Sequence, residues 1–226
     1  MKIDSIRLDN VLPRVFLGSE KDSPVKDSAV WLRQLSFRRP AAYLVEAESG
    51  TGKSSLCAFI YGNRRDYTGR IFFNNTDIST FSIRQWCDIR RTSLALLPQE
   101  MRLFPELTAL ENIQIKNRLT DRYSESEIIS MLDRLEIGHK AKQPAGRLSI
   151  GQQQRVAIVR TLCQPFDFIF LDEPVSHLDS RNNAIAAALI AEHAKANDAT
   201  IITTSVGNPL LLDTVLDAAS IKSVKL

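Results

Sequence analysis

Several features are scarce in this chain, and each shortage excludes a class of protein. No stretch approaches the roughly 20 consecutive apolar residues of a membrane-spanning helix, and residues 1–10 contain no apolar core of a secretion signal. The three cysteines, Cys57, Cys87 and Cys163, have neither metal-binding nor redox spacing. The formal net charge is only +3, and the basic residues are scattered. We therefore expect a cytoplasmic protein that does not cross the membrane and binds no nucleic acid.

The composition is otherwise that of an ordinary globular protein. The 226 residues are 44% hydrophobic and 24% charged, which is enough for one large α/β domain with a full core. The sequence has no internal repeats and no low-complexity segments. We expect one domain.

A glycine-containing segment follows a short apolar run. Residues 42–45 suit a buried strand, and Leu56 and Ile60 are spaced for one face of a helix. Between them lie Ala47, Glu48, Ser49, Gly50, Thr51, Gly52, Lys53, Ser54 and Ser55. The glycines allow a turn whose N–H groups point inward, and the helix start favours an anion. We predict that residues 47–55 bind ATP, with Lys53 on the β- and γ-phosphates and Ser54 on Mg²⁺. The alternative is a chance Gly-Lys-Ser after a strand.

A pair of carboxylates ends a second apolar run. Residues 166–171 are apolar except Asp167, which is typical of a strand buried on both faces of a parallel sheet. Asp172 and Glu173 follow, at the edge where open α/β sheets bind ligands. We predict that Asp172 holds Mg²⁺, through water, and that Glu173 is the general base for the attacking water. An ordinary acidic pair at a helix start is the alternative.

These segments resemble an ATP-binding cassette (ABC) transporter ATPase over almost the whole chain. The other matching segments, in order, are Gln99 in Leu97-Pro98-Gln99, the signature Leu148-Ser149-Ile150-Gly151-Gln152, and Ser176-His177-Leu178-Asp179. Residues 103–113 and 151–158 are similar to the bacterial subfamily that serves lipoprotein release, macrolide efflux and cell-division permeases. The resemblance implies an α/β fold: a P-loop NTPase core with a mostly parallel sheet, an antiparallel β subdomain and a helical insertion. We expect the core in residues 1–98 and 155–226, and the helical subdomain in residues 99–154.

The resemblance also implies roles for single residues. Ser149, Ile150, Gly151 and Gln152 would face the nucleotide of a second copy in a head-to-tail homodimer. Asp179 would contact that partner, and Gln99 would sense Mg²⁺ and the attacking water. Phe16 is the best-placed aromatic residue for stacking on adenine, although Val15 occupies the more usual position. The implied function is ATP hydrolysis that drives a separate integral membrane permease from the inner face of the cell membrane.

The permease would dock in a groove beside the Gln99 loop. Four large apolar residues lie around that groove in the sequence: Trp86, Met101, Leu103 and Phe104. The alternative is that these residues pack the core, and it weighs more for Trp86 and Phe104 than for Met101. We expect Met101 to be substantially exposed, since methionine suits an adaptable contact surface.

The chain departs from the family pattern at three places. Ala47 replaces a glycine of the phosphate loop, and Ile150 replaces the first glycine of the signature. After the strand at residues 200–204 the usual Thr-His-Asp is replaced, so that either Ser205 or Val206 stands at the histidine position. Ser205 is the candidate catalytic residue, because its hydroxyl can donate one hydrogen bond.

Two alternative functions follow. Without the histidine, the chain would be an ATP-gated dimerisation switch with little hydrolysis. A soluble cassette acting on DNA or ribosomes is disfavoured, because such proteins usually carry long coiled coils or two fused cassettes. The sequence names neither the cargo nor the permease.

Overall fold

The computed structural model describes residues 1–46 and 48–226, and in this part of the chain nine strands and six α-helices are found. The strands are β1 (Ser5–Pro13), β2 (Gln34–Arg38), β3 (Ala42–Glu46), β4 (Tyr67–Phe73), β5 (Thr76–Asp77), β6 (Leu94–Leu97), β7 (Phe168–Asp172), β8 (Thr200–Ser205) and β9 (Ile221–Lys225). The helices are α1 (Lys53–Ile60), α2 (Ile83–Thr92), α3 (Ala109–Asn117), α4 (Glu125–Arg134), α5 (Ile150–Leu162) and α6 (Ser180–Ala196).

The parallel sheet has the strand order β6-β7-β8-β3-β9. The register pairs Leu97 with Leu171, Asp172 with Thr204, and Glu46 with Ser205. The carboxyl ends of β6, β7, β8 and β3 therefore meet at one edge of the sheet. Every residue of β7 is buried, as its apolar run predicts.

The second sheet is antiparallel, in the order β2-β1-β4-β5. Strands β4 and β5 form a hairpin that turns at Asn74-Asn75, with Phe73 paired to Thr76. Asn74 takes a φ of 54°, a left-handed conformation that asparagine tolerates better than most residues. The expected α/β class, with a mostly parallel sheet and an antiparallel sheet, is confirmed.

Trp86 belongs to the core rather than to a surface groove. Its ring lies 6.0 Å from that of Phe73 and 5.6 Å from that of Phe81, measured between centroids, and the side chain is buried. Of the two alternatives for Trp86, the structure therefore supports packing in the core over a place in the docking groove. Edge-to-face ring contacts of this kind stabilise a buried aromatic cluster.

Helix α1 starts differently from the other α-helices in the described part of the chain. Helices α2 to α6 are capped by the side chains of Ser82, Thr108, Ser124, Ser149 and Asp179, which accept hydrogen bonds from backbone N–H groups. In α4, Ser124 and Glu127 form a capping box. The residue before α1 is Gly52, which makes no side-chain cap. The first N–H groups of α1 thus have no capping oxygen from their own N-cap residue.

The segment between β6 and β7 is mostly helical. It contains α3, α4 and α5, and residue 155, the proposed end of the insertion, falls inside α5. The division at residues 98 and 155 stays a prediction. No helix in the described ranges is both long enough and apolar enough to span a membrane.

Candidate functional site

Two glycines of the loop before α1 have left-handed backbone conformations. Gly50 has a φ of 82° and Gly52 a φ of 103°. A Cβ atom at Gly52 would lie 2.9 Å from a ring carbon of Trp31, so a side chain there would also clash. The loop and the uncapped helix start present backbone N–H groups and the positive end of the helix dipole. This arrangement suits a phosphate group. Ala47 lies outside the described residues.

Trp31 supports the loop from inside the protein. The side chain is fully buried, and its Nε1 donates a hydrogen bond of 3.0 Å to the carbonyl oxygen of Thr51. The sequence reasoning missed this residue. A buried indole N–H needs an acceptor, but only the folded structure identifies which one.

Phe16 lies beside the same loop. Its ring would be 3.5 Å from a Cβ atom at Gly52, and the side chain is half-buried. Val15, at the more usual position for the adenine-stacking residue, is 77% exposed. Phe16 is thus close enough to the loop for a nucleotide contact, and its stacking on adenine stays a prediction.

Lys53 is buried at the beginning of α1. Its Nζ donates a hydrogen bond of 2.7 Å to the carbonyl oxygen of Glu48. Burial lowers the pKa of this amine from its ordinary value, while the nearby charges of Glu173 and Asp172 act in the raising direction. A bound phosphate would act in the same direction as these carboxylates and stabilise the charged amine.

The remaining loop residues differ in exposure. Glu48, Ser49 and Ser54 are exposed, and Thr51 is buried. Ser55 is half-buried and its Oγ accepts a hydrogen bond of 2.9 Å from Nη1 of Arg64. Their roles in binding ATP stay predictions.

Asp172 and Glu173 lie where β7 and β8 end. Asp172 is buried, and its Oδ1 accepts a hydrogen bond of 2.7 Å from Oγ1 of Thr204. The same Oγ1 accepts a hydrogen bond of 3.2 Å from the backbone N–H of Glu173. Glu173 has a φ of 51°, which is uncommon for a residue other than glycine and must be held by its surroundings. Thr204, which the sequence reasoning did not single out, joins both carboxylate residues.

Gln99 reaches this acidic strand end from β6. Its Nε2 donates a hydrogen bond of 3.4 Å to Oε2 of Glu173. A cavity of about 460 Å³ is lined by Ser54, Gln99 and Asp172. Its other lining residues are Cys57, Ala58, Asn63, Arg64, Leu96, Pro98, Glu100 and Arg102. The three residues predicted to bind Mg²⁺ therefore line one cavity, although they come from three separate segments.

The donor set of this cavity fits magnesium. Hydroxyl, carboxylate and amide oxygens are hard ligands, which Mg²⁺ prefers. Among the described residues, no group of three or more His, Cys, Asp or Glu side chains could hold a metal ion by itself. Magnesium would thus need nucleotide phosphates and water as further ligands, as is usual for this ion.

The signature residues form the start of α5. The Oγ of Ser149 accepts a hydrogen bond of 3.3 Å from the N–H of Gln152, and Oε1 of Gln152 accepts one of 3.0 Å from the N–H of Ser149. The Ser149 hydroxyl keeps its own proton for donation. Ile150 is 53% exposed. None of Ser149, Ile150, Gly151 and Gln152 lines the cavity beside Asp172.

Asp179 caps α6 within its own subunit. Its Oδ1 accepts a hydrogen bond of 2.8 Å from the N–H of Asn182. This backbone hydrogen bond is the main reason why the pKa of the Asp179 carboxyl lies below its ordinary value. The side chain is exposed, and its contact with a second copy stays a prediction.

Ser205, the candidate catalytic residue, is enclosed at the end of β8, and its catalytic role stays a prediction. Its hydroxyl oxygen is shielded from solvent, and within residues 1–46 and 48–226 no hydrogen-bond partner lies within reach of it. The next residue, Val206, is 46% exposed. Of the two candidates for the histidine position, Val206 is the one that faces solvent, and its side chain can donate no hydrogen bond.

The expected docking groove is only partly as predicted. Phe104 is 52% exposed, whereas Met101 and Leu103 are half-buried against the core. Met101 is thus less exposed than expected. Two further apolar side chains in or just after α3 are exposed, Ile115 and Leu119.

The sequence model of a family described as "ABC transporter" matches residues 34–176. This range includes the glycine-containing loop, Gln99, the signature and the acidic strand end. The chain belongs to the ABC transporter family. It is therefore an ABC ATPase, and the resemblance inferred from the motifs is confirmed.

The ABC relatives agree with this assignment. The cytochrome c biogenesis ATP-binding export protein CcmA of Aliivibrio fischeri is 29% identical over 204 residues, which is 89% of this chain and 95% of CcmA. The cell division ATP-binding protein FtsE of Bacillus subtilis is 31% identical over 138 residues, 60% of each chain. This chain spans 95% of the length of CcmA, but only 48% of the length of another ABC transporter ATP-binding protein that it matches.

A solved structure supports the fold. The dimeric, post-hydrolysis structure of the ATP-binding cassette MJ0796 bound to ADP and Pi matches with a TM-score of 0.73 at 23% identity. The match covers 88% of this chain and 87% of that one.

Proposed function

We propose that this ABC cassette binds Mg-ATP, forms a homodimer on binding and hydrolyses the nucleotide to drive a separate integral membrane permease. The observation that carries this proposal is the shared cavity. Ser54 from α1, Gln99 from the end of β6 and Asp172 from the end of β7 line it together. Burial lowers the pKa of Lys53, the neighbour of Ser54 in the chain, while the charges of Glu173 and Asp172 at the strand end act to raise it.

The chemistry assigns one task to each residue. Lys53 and the backbone of residues 48–52 hold the phosphates, while Glu173 accepts the proton of the attacking water. Gln99, hydrogen-bonded to Glu173, orients that water. Ser54, Asp172 and Gln99 would hold Mg²⁺, which neutralises charge that develops on the phosphates.

Phosphate release from Mg-ATP by the purified chain tests this proposal. The variant Glu173→Gln keeps the size of the side chain but removes the base, so we expect phosphate release to fall to background. Glu106→Gln is the matched control, because Glu106 is an exposed glutamate that does not line the cavity. Equal rates in Glu173→Gln and the wild type would overturn the role of Glu173.

The second copy completes the site in this proposal. Ser149 and Gly151 do not line the cavity beside Asp172, and MJ0796 is dimeric in its structure. A head-to-tail pair would place the start of α5 of one copy on the nucleotide of the other, where the helix dipole favours an anion. Asp179 would then approach the partner's loop.

The second candidate function is an ATP-gated dimerisation switch with little hydrolysis. The exposed Val206 and the enclosed hydroxyl of Ser205 favour it, because neither side chain supplies a hydrogen-bond donor at the end of β8. Loss of one such donor costs roughly 10²–10³ in rate at comparable sites. The switch would bind ATP and dimerise normally.

The variant Val206→His separates the two functions. If a missing donor limits the rate, phosphate release should rise at least about tenfold, while Val215→His, at another exposed valine, should change nothing. A wild-type turnover above about 1 s⁻¹, within the range of ordinary enzymes, would contradict the switch.

We place the cassette on the inner face of the cell membrane, bound to its permease. The exposed Phe104 follows the Gln99 loop by five residues and offers apolar surface that a partner would cover. Phe104→Asp should reduce co-purification of the permease without changing the affinity for ATP. Retention of the permease at the wild-type level would exclude this surface.

A further inference from the structure

The loop that follows the candidate base is short and tightly held. It runs from Glu173 to Asp179 and joins β7 to α6. Its first residue, Glu173, has a positive φ, so contacts from other elements must fix the backbone there. One contact is the bond from the N–H of Glu173 to Thr204. Asn208 also holds the loop, since its Nδ2 donates a hydrogen bond of 2.9 Å to the carbonyl oxygen of Val175. Further contacts come from α5.

Gln154 of α5 uses both ends of its side-chain amide on this loop. Its Nε2 donates to the carbonyl oxygen of Glu173 at 3.1 Å and to Oγ of Ser176 at 3.2 Å. Its Oε1 accepts a hydrogen bond of 3.0 Å from the backbone N–H of His177. The residue is 2% exposed, so water cannot replace these bonds without a rearrangement.

The start of α5 also touches the loop directly. A Cβ atom at Gly151 would lie 2.9 Å from the carbonyl oxygen of His177. The next residue after Gln154, Arg155, donates from Nη1 to Oδ1 of Asn182 in α6 at 2.9 Å. The first turns of α5 thus bind both the loop and the helix that follows it.

We propose that Gln154 is a positioning residue that fixes the backbone of Glu173 and the loop 174–178 to the start of α5. This rests on the proposed function, in which Glu173 serves the nucleotide of its own subunit and Ser149 to Gln152 serve that of the second copy. In that dimer, Gln154 mechanically connects the two nucleotide sites through a single protomer. When α5 shifts on contact with the partner's nucleotide, the base of the other site shifts with it.

The variant Gln154→Met tests this inference. Methionine keeps the volume and removes all three hydrogen bonds. Gln164→Met is the matched control, because Gln164 is also fully buried near the end of α5, and its Nε2 donates to the carbonyl oxygen of Leu94 at 2.9 Å. Leu94 is the first residue of β6, whereas Glu173 follows the last residue of β7. Gln164 therefore lies near the amino ends of the parallel strands, and Glu173 lies at their carboxyl ends.

Two measurements are needed. The first is hydrogen–deuterium exchange of residues 173–179 in the nucleotide-free protein, which does not depend on hydrolysis. The second is the steady-state kinetics of phosphate release. We expect faster exchange in this segment and a kcat that falls about 10- to 100-fold, as small misplacements of a reacting group can cause. The affinity for a fluorescent ATP analogue should stay unchanged, and Gln164→Met should show neither effect.

A second variant and urea unfolding guard against a folding defect. Gln154→Leu also removes all three hydrogen bonds and adds no buried charge. We expect it to match Gln154→Met in exchange and in kcat, with one cooperative unfolding transition for both variants.

The outcomes are distinguishable from failure of the proposed function. Unchanged exchange in residues 173–179 of both Gln154 variants would overturn the inference, whatever their activity. Faster exchange with wild-type kcat would overturn it as well. If the wild type itself releases no phosphate, the proposed function fails, and exchange alone then decides whether Gln154 fixes the loop.

Discussion

Two buried tryptophans allow the support of the phosphate loop to be measured. Trp31 donates a hydrogen bond to the carbonyl oxygen of Thr51. Trp86 is also buried, but no acceptor lies within hydrogen-bonding reach of its Nε1 among the residues that the structure describes. Replacing each by phenylalanine removes about the same apolar volume. Only Trp31→Phe removes a hydrogen bond, so the pair isolates the contribution of that bond.

The expected magnitudes follow from burial and bonding. Each substitution loses apolar contacts worth about 1–2 kcal/mol of unfolding free energy. Trp31→Phe also leaves the carbonyl of Thr51 without its donor, which costs about 1–3 kcal/mol more. Trp86→Phe instead removes an unpaired buried donor, which offsets part of its loss. We therefore expect Trp31→Phe to be the less stable variant by about 1–3 kcal/mol, or roughly 2–4 °C in Tm for each kcal/mol.

Urea unfolding and binding of a fluorescent ATP analogue are the assays. Trp31→Phe should also bind the analogue with lower affinity, because Thr51 belongs to the predicted phosphate loop. Trp86→Phe should bind it with the affinity of the wild type. Equal losses of stability in the two variants would refute the role of the Trp31 hydrogen bond. Unchanged nucleotide affinity in Trp31→Phe would refute its connection to the site.

Three further predictions concern charge. Lys53→Ala should lower the affinity for the same ATP analogue, since Lys53 is the cation that the loop motif directs to the phosphates. Equal affinity in the variant and the wild type would contradict the assignment. In size-exclusion chromatography with Mg-ATP, Glu173→Gln should show a larger fraction of dimer than the wild type, because the nucleotide is bound and not consumed. A monomer at high protein and ATP concentrations would count against the head-to-tail pair. Burial lowers the pKa of His193, so the unfolded chain binds its proton at a higher pH than the folded chain. The unfolding free energy should therefore fall as the pH drops below about 6.5, the ordinary histidine value, and His193→Phe should flatten that decline in urea titrations at several pH values.

Local patterns predicted most of the fold. Strand β7 was predictable because both of its faces are apolar, and α1 because Leu56 and Ile60 repeat at helical spacing and are both buried. The start of α5 lies at Ile150 because Ser149 and Gln152 form a capping box, a pattern that is visible in the sequence. The start of β7 was expected at Phe166, two residues before its observed start at Phe168, since strand ends depend on pairing with neighbouring strands.

Contacts between distant segments were not predictable in this way. Trp31 and Thr51 are 20 residues apart, and Gln154 and Glu173 are 19 apart. Neither pair forms a motif, and each exists only because the fold brings a helix or loop beside a strand end. For Trp86 the sequence left groove and core open, and only the packing on Phe73 and Phe81 shows that it belongs to the core.

The end of β8 bears on a choice that the sequence left open, namely whether Ser205 or Val206 stands at the histidine position. Side chains alternate between the two faces of a strand. Thr204 points its hydroxyl at Asp172, whereas the hydroxyl oxygens of Thr203 and Ser205 are both buried without a partner in the described part of the chain. Ser205 thus shares the face of Thr203. Strand β8 ends at Ser205, and Val206 lies in the bend that follows, so the alternation does not extend to it. The choice between Ser205 and Val206 for the histidine position stays a prediction, and the rise in phosphate release that we expect for Val206→His is the measurement that tests whether a donor is missing at the exposed position.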